Sequence, residues 1–247
     1  MTIIEVPFIV TDIVLVDVVD FSLLSDEQQF GAAIMFTNTL HETVSALCAA
    51  GFREPSEIVI GFIPTGDGFY VILNPLIAGY GPFLALSLRS AILRDGRATG
   101  IGLAGVRCAV HLGTAVPFPD VNQQKNFVGT GLNTCARFLS DPNTRPAFEA
   151  FAGDTSFMVI SDQALANFEK SYPTKNAESW FGANQWRVGD ATTITDKHKI
   201  QHAVRPFEAS RLAAIAPHLP SNWQERAKSP SRTGSPPSGG HRGGRTP

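Results

Sequence analysis

Two apolar, β-branched runs each end in an aspartate followed by a turn, and this pairing constrains the fold more than any bulk property does. The first is Ile13-Val14-Leu15-Val16-Asp17-Val18-Val19-Asp20-Phe21-Ser22, and the second is Ile60-Gly61-Phe62-Ile63-Pro64-Thr65-Gly66-Asp67-Gly68-Phe69-Tyr70-Val71-Ile72-Leu73. Short runs of this composition form buried strands. Such strands lie side by side in a sheet, so the two carboxylates can converge at one edge. Converging hard oxygen ligands suit Mg²⁺ or Mn²⁺, and sites of that kind handle phosphates. A single aspartate at a strand end is equally well a turn cap, so the weight of the reading falls on the sequence downstream.

The chain has 247 residues, of which 43% are hydrophobic, enough for a full core over roughly the first 215 residues. A net charge of -2 gives no electrostatic case for a nucleic-acid partner. Cys48, Cys108 and Cys135 cannot all pair and contain no CxxC, which argues against a disulfide scaffold or zinc knuckle and fits a reducing compartment. The start, Met1-Thr2-Ile3-Ile4-Glu5, has no basic region, and the apolar stretches are short and interrupted, so no membrane span is expected. The expectation is a soluble, cytoplasmic protein.

The spacing predicts a strand over 8–16, a helix from Glu27 to about Ala50 opened by an Asp26/Gln29 capping box, and a hairpin turning at Gly66-Asp67-Gly68. A helix after Asn74-Pro75 is expected to break at Asp95-Gly96. A strand follows over 102–112, its continuation over 113–118, then a helix over 129–139 with Asn133 and Arg137 as i,i+4 neighbours. Short strands at 157–160 and 199–204, with a helix opening at Ser161-Asp162, complete an α+β sandwich in which helices cover a mostly antiparallel sheet. Residues 1–220 read as one folded domain. Residues 221–247 read as a disordered Ser/Pro/Gly/Arg-rich tail that lacks the apolar surface to offset its ordering entropy.

With these segments in order, the chain resembles a class III nucleotidyl cyclase catalytic domain, whose fold is ferredoxin-like. Leu15-Val16-Asp17-Val18-Val19-Asp20-Phe21-Ser22 is similar to the family's first metal strand, and Thr65-Gly66-Asp67-Gly68-Phe69 to its second metal hairpin. Val106-Arg107-Cys108-Ala109-Val110-His111-Leu112-Gly113 resembles the R-x-G-I-H-x-G strand. Phe127 to Arg137 resembles the helix that carries the family's Asn and Arg, and Val159-Ile160-Ser161-Asp162 is a weaker fifth match. The resemblance implies cyclisation of a nucleoside triphosphate with two divalent metal ions, Mn²⁺ or Mg²⁺, held by Asp17, Asp67 and the Val18 carbonyl. It implies that amides around Asp20, Phe21 and Ser22 cradle the β- and γ-phosphates, that Asn133 orients the ribose, and that Arg137 meets the α-phosphate. His111 and Arg107 read as structural. Arg205, in Val204-Arg205-Pro206-Phe207, is the nearest match to the family's late phosphate-binding lysine. In the family one subunit of a head-to-tail dimer supplies the metal residues and the other the Asn and Arg; this chain holds both sets, so the resemblance implies a homodimer with two shared sites.

The base-reading positions depart from both purine patterns. Where adenine-specific relatives carry Lys and guanine-specific ones Glu, this chain has Ile63; where they carry Asp or Thr, or Cys, it has Asn126. Ile63 makes no side-chain hydrogen bond, and a site without its polar reader cannot select a purine edge. In size and in these positions the chain resembles the bacterial Pycsar pyrimidine cyclases of anti-phage defence, in which a separate effector reads the cyclic product. Asn126 can pair with uracil or, turned over, with cytosine. UTP is favoured, with CTP, then ATP or GTP, then a catalytically inactive binding module as the alternatives.

Overall fold

The computed structural model describes residues 7–49, 54–171 and 186–209. Its elements run β1 (Ile9–Val18), α1 (Asp26–Ala49), β2 (Val59–Pro64), β3 (Gly68–Leu73), α2 (Gly81–Thr99), β4 (Val106–Pro119), β5 (Lys125–Val128), α3 (Thr130–Ser140), α4 (Arg145–Ala152), β6 (Met158–Ser161), α5 (Asp162–Ser171), β7 (Trp186–Val188), β8 (Thr192–Thr195) and β9 (Gln201–Ala209). They build a nine-stranded sheet in the order β2-β3-β1-β4-β6-β9-β7, with β5 paired to β4 and β8 to β9. Every described pairing is antiparallel except β4 with β6. This is the expected α+β class. The expected tail over 221–247 lies outside the described residues.

The two-residue period of β1 divides the core. Val14, Val16 and Val18 pack with buried residues of α1, α2 and α5. Ile13 and Leu15 pack on the other face with Leu132, Cys135 and Phe138 of α3 and Phe148 of α4. A central strand apolar on both faces is what an uninterrupted Val/Ile/Leu run produces, and each such side chain contributes roughly 1.5–3 kcal/mol on full burial. The same alternation carries Asp17 onto the α3/α4 face.

Several boundaries differ from the sequence reading, each for a local reason. The box that opens α1 is Ser25 with Gln28, not Asp26 with Gln29: the Gln28 amide donates to Ser25 Oγ at 3.3 Å, and the Ser25 amide donates to Gln28 Oε1 at 3.0 Å. Asn74-Pro75 opens a short 3₁₀ turn, with the Asn74 side chain accepting from the Leu76 amide, and α2 starts only at Gly81. Asp95-Gly96 does not break α2. Asp95 accepts from Thr39 on α1, and Leu103 packs where a Gly96 side chain would otherwise sit; the helix ends on Gly100 in the left-handed conformation. The two expected segments over 102–118 are one strand, β4. The elements α4, β7 and β8 are additions to the sequence reading.

Candidate active site

Asp17 stands near the end of β1, directly between Gly68 on β3 and Arg107 on β4 in the strand register. Asp67 occupies the β2–β3 turn, and its carbonyl accepts from the Val18 amide at 2.9 Å. That contact ties the hairpin tip to the end of β1 and brings the second aspartate beside the first. Gly68 makes the approach possible: a Cβ there would lie 1.9 Å from the Val16 carbonyl oxygen. Thr65 Oγ1 donates to Asp67 Oδ1 at 3.2 Å. Asp17 and Asp67 line one cavity of about 670 Å³, together with Tyr70, Arg107, Arg145 and flanking residues of α3 and α4.

The charge balance of this cavity rests on Arg107. Its Nε donates to Asp17 Oδ2 at 2.8 Å and its Nη2 reaches the same oxygen. Burial raises the Asp17 carboxyl above its ordinary range; the Arg107 guanidinium opposes that shift, and Asp67 adds to it. Arg107 is therefore not simply a structural residue of the sheet but the counter-ion of the first aspartate. Arg145, which no motif singled out, lines the cavity from α4 and pairs with Glu149 at 2.8 Å.

The donor set fits a small divalent cation. Two carboxylates facing one cavity, one of them ordered by a threonine hydroxyl, are hard oxygen ligands of the kind Mg²⁺ and Mn²⁺ take. Among the described residues no group of three or more His, Cys, Asp or Glu assembles into a metal site, so other ligands would be backbone oxygen, water and substrate phosphate. Beside the aspartates, Asp20 adopts the left-handed conformation (φ 57°) and opens a 3₁₀ turn over Phe21–Leu23. Phe21 is buried and Ser22 exposed; the first amides of such a turn lack an internal acceptor.

Asn133 and Arg137 are exposed on α3. They line a separate crevice of about 20 Å³ with Thr130, Thr134 and the β8–β9 turn residues Asp196, Lys197 and His198. This crevice shares no lining residue with the aspartate cavity. Among the described residues, the chain thus carries two separate clefts, one lined by the aspartates and one by Asn133 and Arg137.

Arg205 does not join either cleft. Its Nε donates to Asp162 Oδ1 at 2.7 Å at the start of α5. The lysine that does face Asn133 and Arg137 is Lys197. Its signal in the sequence is a Lys-His-Lys step after the alternating Thr192-Thr193-Ile194-Thr195, which is a hairpin turn on a polar edge. His111 is satisfied, as expected, but in mid-strand rather than at a sheet end: Nδ1 lies 3.1 Å from Ser161 Oγ, the ring packs edge-on to Phe138, and burial, with His202 nearby, pushes its pKa down to about 4. Ile63 pairs with Tyr70 across the hairpin and packs with it on the α3/α4-side core. Asn126 lies on β5, which contacts β2. Its Oδ1 accepts from the Phe127 amide at 2.8 Å. Arg97 is exposed near the end of α2 and lines neither the aspartate cavity nor the Asn133 crevice.

Comparison with known proteins bears on the fold. Neither a protein-family model nor a curated protein matches the sequence. Solved structures do match. The chain is similar to the guanylyl cyclase Cya2 with a TM-score of 0.56 at 14% identity, over 87% of this chain and 100% of that one. It is similar to the catalytic core of a rhodopsin-guanylyl cyclase with converted specificity, in complex with ATPαS, with a TM-score of 0.50 at 16% identity, over 83% and 99%. The fold is that of a nucleotidyl cyclase catalytic domain. No described helix is long and apolar enough to cross a membrane.

Proposed function

We propose that this chain is a nucleotidyl cyclase that acts as a homodimer and converts a nucleoside triphosphate, with UTP preferred, to its 3′,5′-cyclic monophosphate and pyrophosphate. The observation that carries the reading is the division of the site. Asp17 and Asp67 open into one cavity, while Asn133, Arg137 and Lys197 line another crevice on the same chain. Neither half is sufficient alone, and a two-fold pairing that sets one half against the other gives two equivalent sites.

In that arrangement Asp17, Asp67 and the Val18 carbonyl would hold two divalent cations, which supply an acidified 3′-hydroxyl and a neutralised triphosphate. Arg107 balances Asp17 in their absence. The turn at Asp20, Phe21 and Ser22 faces the β- and γ-phosphates with its amides. From the partner subunit, the Asn133 carboxamide orients the ribose, Lys197 offsets the charge of the polyphosphate, and the Arg137 guanidinium donates to the α-phosphate oxygens. The 3′-oxygen attacks the α-phosphorus and loses its proton, the bond to the β-phosphate oxygen breaks, and pyrophosphate leaves. Arg137 acts on the charge that builds at the α-phosphate, so its weight falls in the transition state.

Ile63 offers the base no hydrogen bond, which removes the polar reader a purine edge needs. Asn126 offers an amide donor and a carbonyl acceptor, which can pair with uracil or, turned over, with cytosine; the resemblance to the pyrimidine cyclases is what favours uracil. This reading, with its resemblance to anti-phage pyrimidine cyclases, extends to a defence signal read by a separate effector. Incubation of the purified protein with Mn²⁺ and each of ATP, GTP, CTP and UTP, with products identified by mass, tests it. Cyclic UMP is the expected dominant product. A cyclic purine nucleotide would overturn the roles of Ile63 and Asn126 while leaving the metal site.

A further inference from the structure

We propose that Asp196 and His202 form a latch that positions Lys197 for the substrate polyphosphate. The inference rests on the cyclase reading above and adds two positioning residues to it.

The β8–β9 turn is organised around one carboxylate. Asp196 Oδ1 accepts from the His198 amide at 2.8 Å and from the Ile200 amide at 2.9 Å. The Asp196 backbone closes the same loop: its amide donates to the Ile200 carbonyl at 2.9 Å, and its carbonyl accepts from the Lys199 amide at 3.0 Å. Lys199 takes a left-handed φ of 62° to complete the turn. The second oxygen, Oδ2, lies 3.2 Å from His202 Nε2. Both side chains of this pair are shielded, at 14% exposure for His202 and 7% for Asp196.

His202 anchors the turn to the body of the protein. Its ring meets Phe138 edge-on at 6.0 Å between centroids and His111 at 5.7 Å. Phe138 is a buried residue of α3, the helix that carries Asn133 and Arg137, and His111 is held by Ser161. A continuous path therefore runs from α3 through Phe138 and His202 to Asp196, and on to the adjacent Lys197. The exposed Lys197 side chain then lines the crevice beside Asn133 and Arg137. A lysine on a free hairpin would lose rotamer and backbone freedom on meeting a phosphate; a turn already fixed against α3 avoids much of that loss. Several contacts on one carboxylate also hold the Asp196 carboxyl below its usual range: a desolvation penalty is outweighed by the Ile200 amide, the His202 ring and the His198 amide.

The test separates the latch from the reading it rests on. Binding of each of the four nucleoside triphosphates, against its monophosphate, is measured by titration calorimetry with Mn²⁺ present, for the wild type, His202→Phe, His202→Gln, Asp196→Asn, Lys197→Ala and the His202→Phe/Lys197→Ala double variant. His202→Phe keeps a ring against Phe138 but removes the donor; His202→Gln keeps a donor. His202→Phe is expected to weaken the preferred triphosphate about tenfold, to leave its monophosphate unchanged, and to raise KM with kcat within about twofold. His202→Gln is expected to restore most of the affinity. The double variant is expected to bind no more weakly than Lys197→Ala alone, since the latch acts through that lysine. Wild-type affinity in His202→Phe and Asp196→Asn, or a full additive loss in the double variant, would overturn the latch. A wild type that prefers no triphosphate over its monophosphate would instead overturn the cyclase reading. If His202→Phe fails to fold, the Asp196→Asn variant carries the same comparison.

Discussion

Asp12 is fully buried on β1, and its own contribution to stability should fall as pH rises from mild acid to neutral. Its Oδ2 accepts from the amides of Gly79 and Gly81, at 2.7 and 2.8 Å, where the chain enters α2. Its Oδ1 is buried and has no hydrogen-bond partner among the described residues. Desolvation raises its pKa from 3.8 to about 6, against the two amides, which lower it. Between those values the native state keeps a proton that the unfolded state has lost. Its contribution to stability therefore falls as pH rises through that window and levels off above it. Integrated between pH 4.5 and 7.5, the loss from this one group is about 2 kcal/mol. Asp12→Asn retains an oxygen for both amides and cannot ionise. Any cost of placing its NH₂ where Oδ1 sits is independent of pH in this range, so it cancels in the comparison. Urea denaturation of both proteins at the two pH values isolates the effect: relative to wild type, the variant should gain about 2 kcal/mol on going from pH 4.5 to 7.5. Parallel pH dependence in the two proteins would refute a protonated native Asp12.

Other perturbations follow from the same geometry. His111, held neutral with its pKa near 4, contributes in the opposite sense: the unfolded chain protonates first, so stability falls as pH drops from 6.5 toward 4, and His111→Gln should flatten that limb of the profile. Gly68→Ala would drive a Cβ into the Val16 carbonyl and should cost more than about 3 kcal/mol or prevent folding, read by thermal melt. Arg89 makes a bidentate, mostly buried pair with Glu208 that ties α2 to β9; Arg89→Ala should cost about 3–5 kcal/mol in urea denaturation.

Where local pattern and tertiary contact agree, the sequence is a sufficient guide. Both aspartate strands were legible because branched apolar runs, Gly66 and Gly68 all favour the same hairpin. The α3 helix was legible from Leu132, Ala136 and Leu139. The α2 boundary was not, because the contacts that accompany the helix through Asp95-Gly96, Thr39 on α1 with Asp95 and Leu103 beside Gly96, come from outside α2. The α4 helix follows Pro142-Asn143-Thr144, carries a proline in its first turn and is eight residues long, so it reads as loop. Strands β7 and β8 are too short for a periodic signal.

At the site, the strand-end pattern singled out Asp17 and Asp67 and the family resemblance singled out Asn133 and Arg137, but pairing could not be read from spacing. Arg107 sits 90 positions from Asp17, and only the β1–β4 register makes them partners. Arg205 matched a motif by position, yet Asp162 claims it, while Lys197 reaches the crevice because the β8–β9 turn folds back on α3.

The shared-site claim is tested most directly by mixing two variants that should each be inactive. Asp67→Ala removes one half-site and Arg137→Ala the other, so each homodimer lacks both of its sites. After subunit exchange at equal concentrations, half the dimers are mixed, and each mixed dimer holds one intact site and one doubly defective site. The mixture should therefore recover about one quarter of wild-type cyclase activity per subunit. Mixed dimers seen by native mass spectrometry without any recovery of activity would contradict the account.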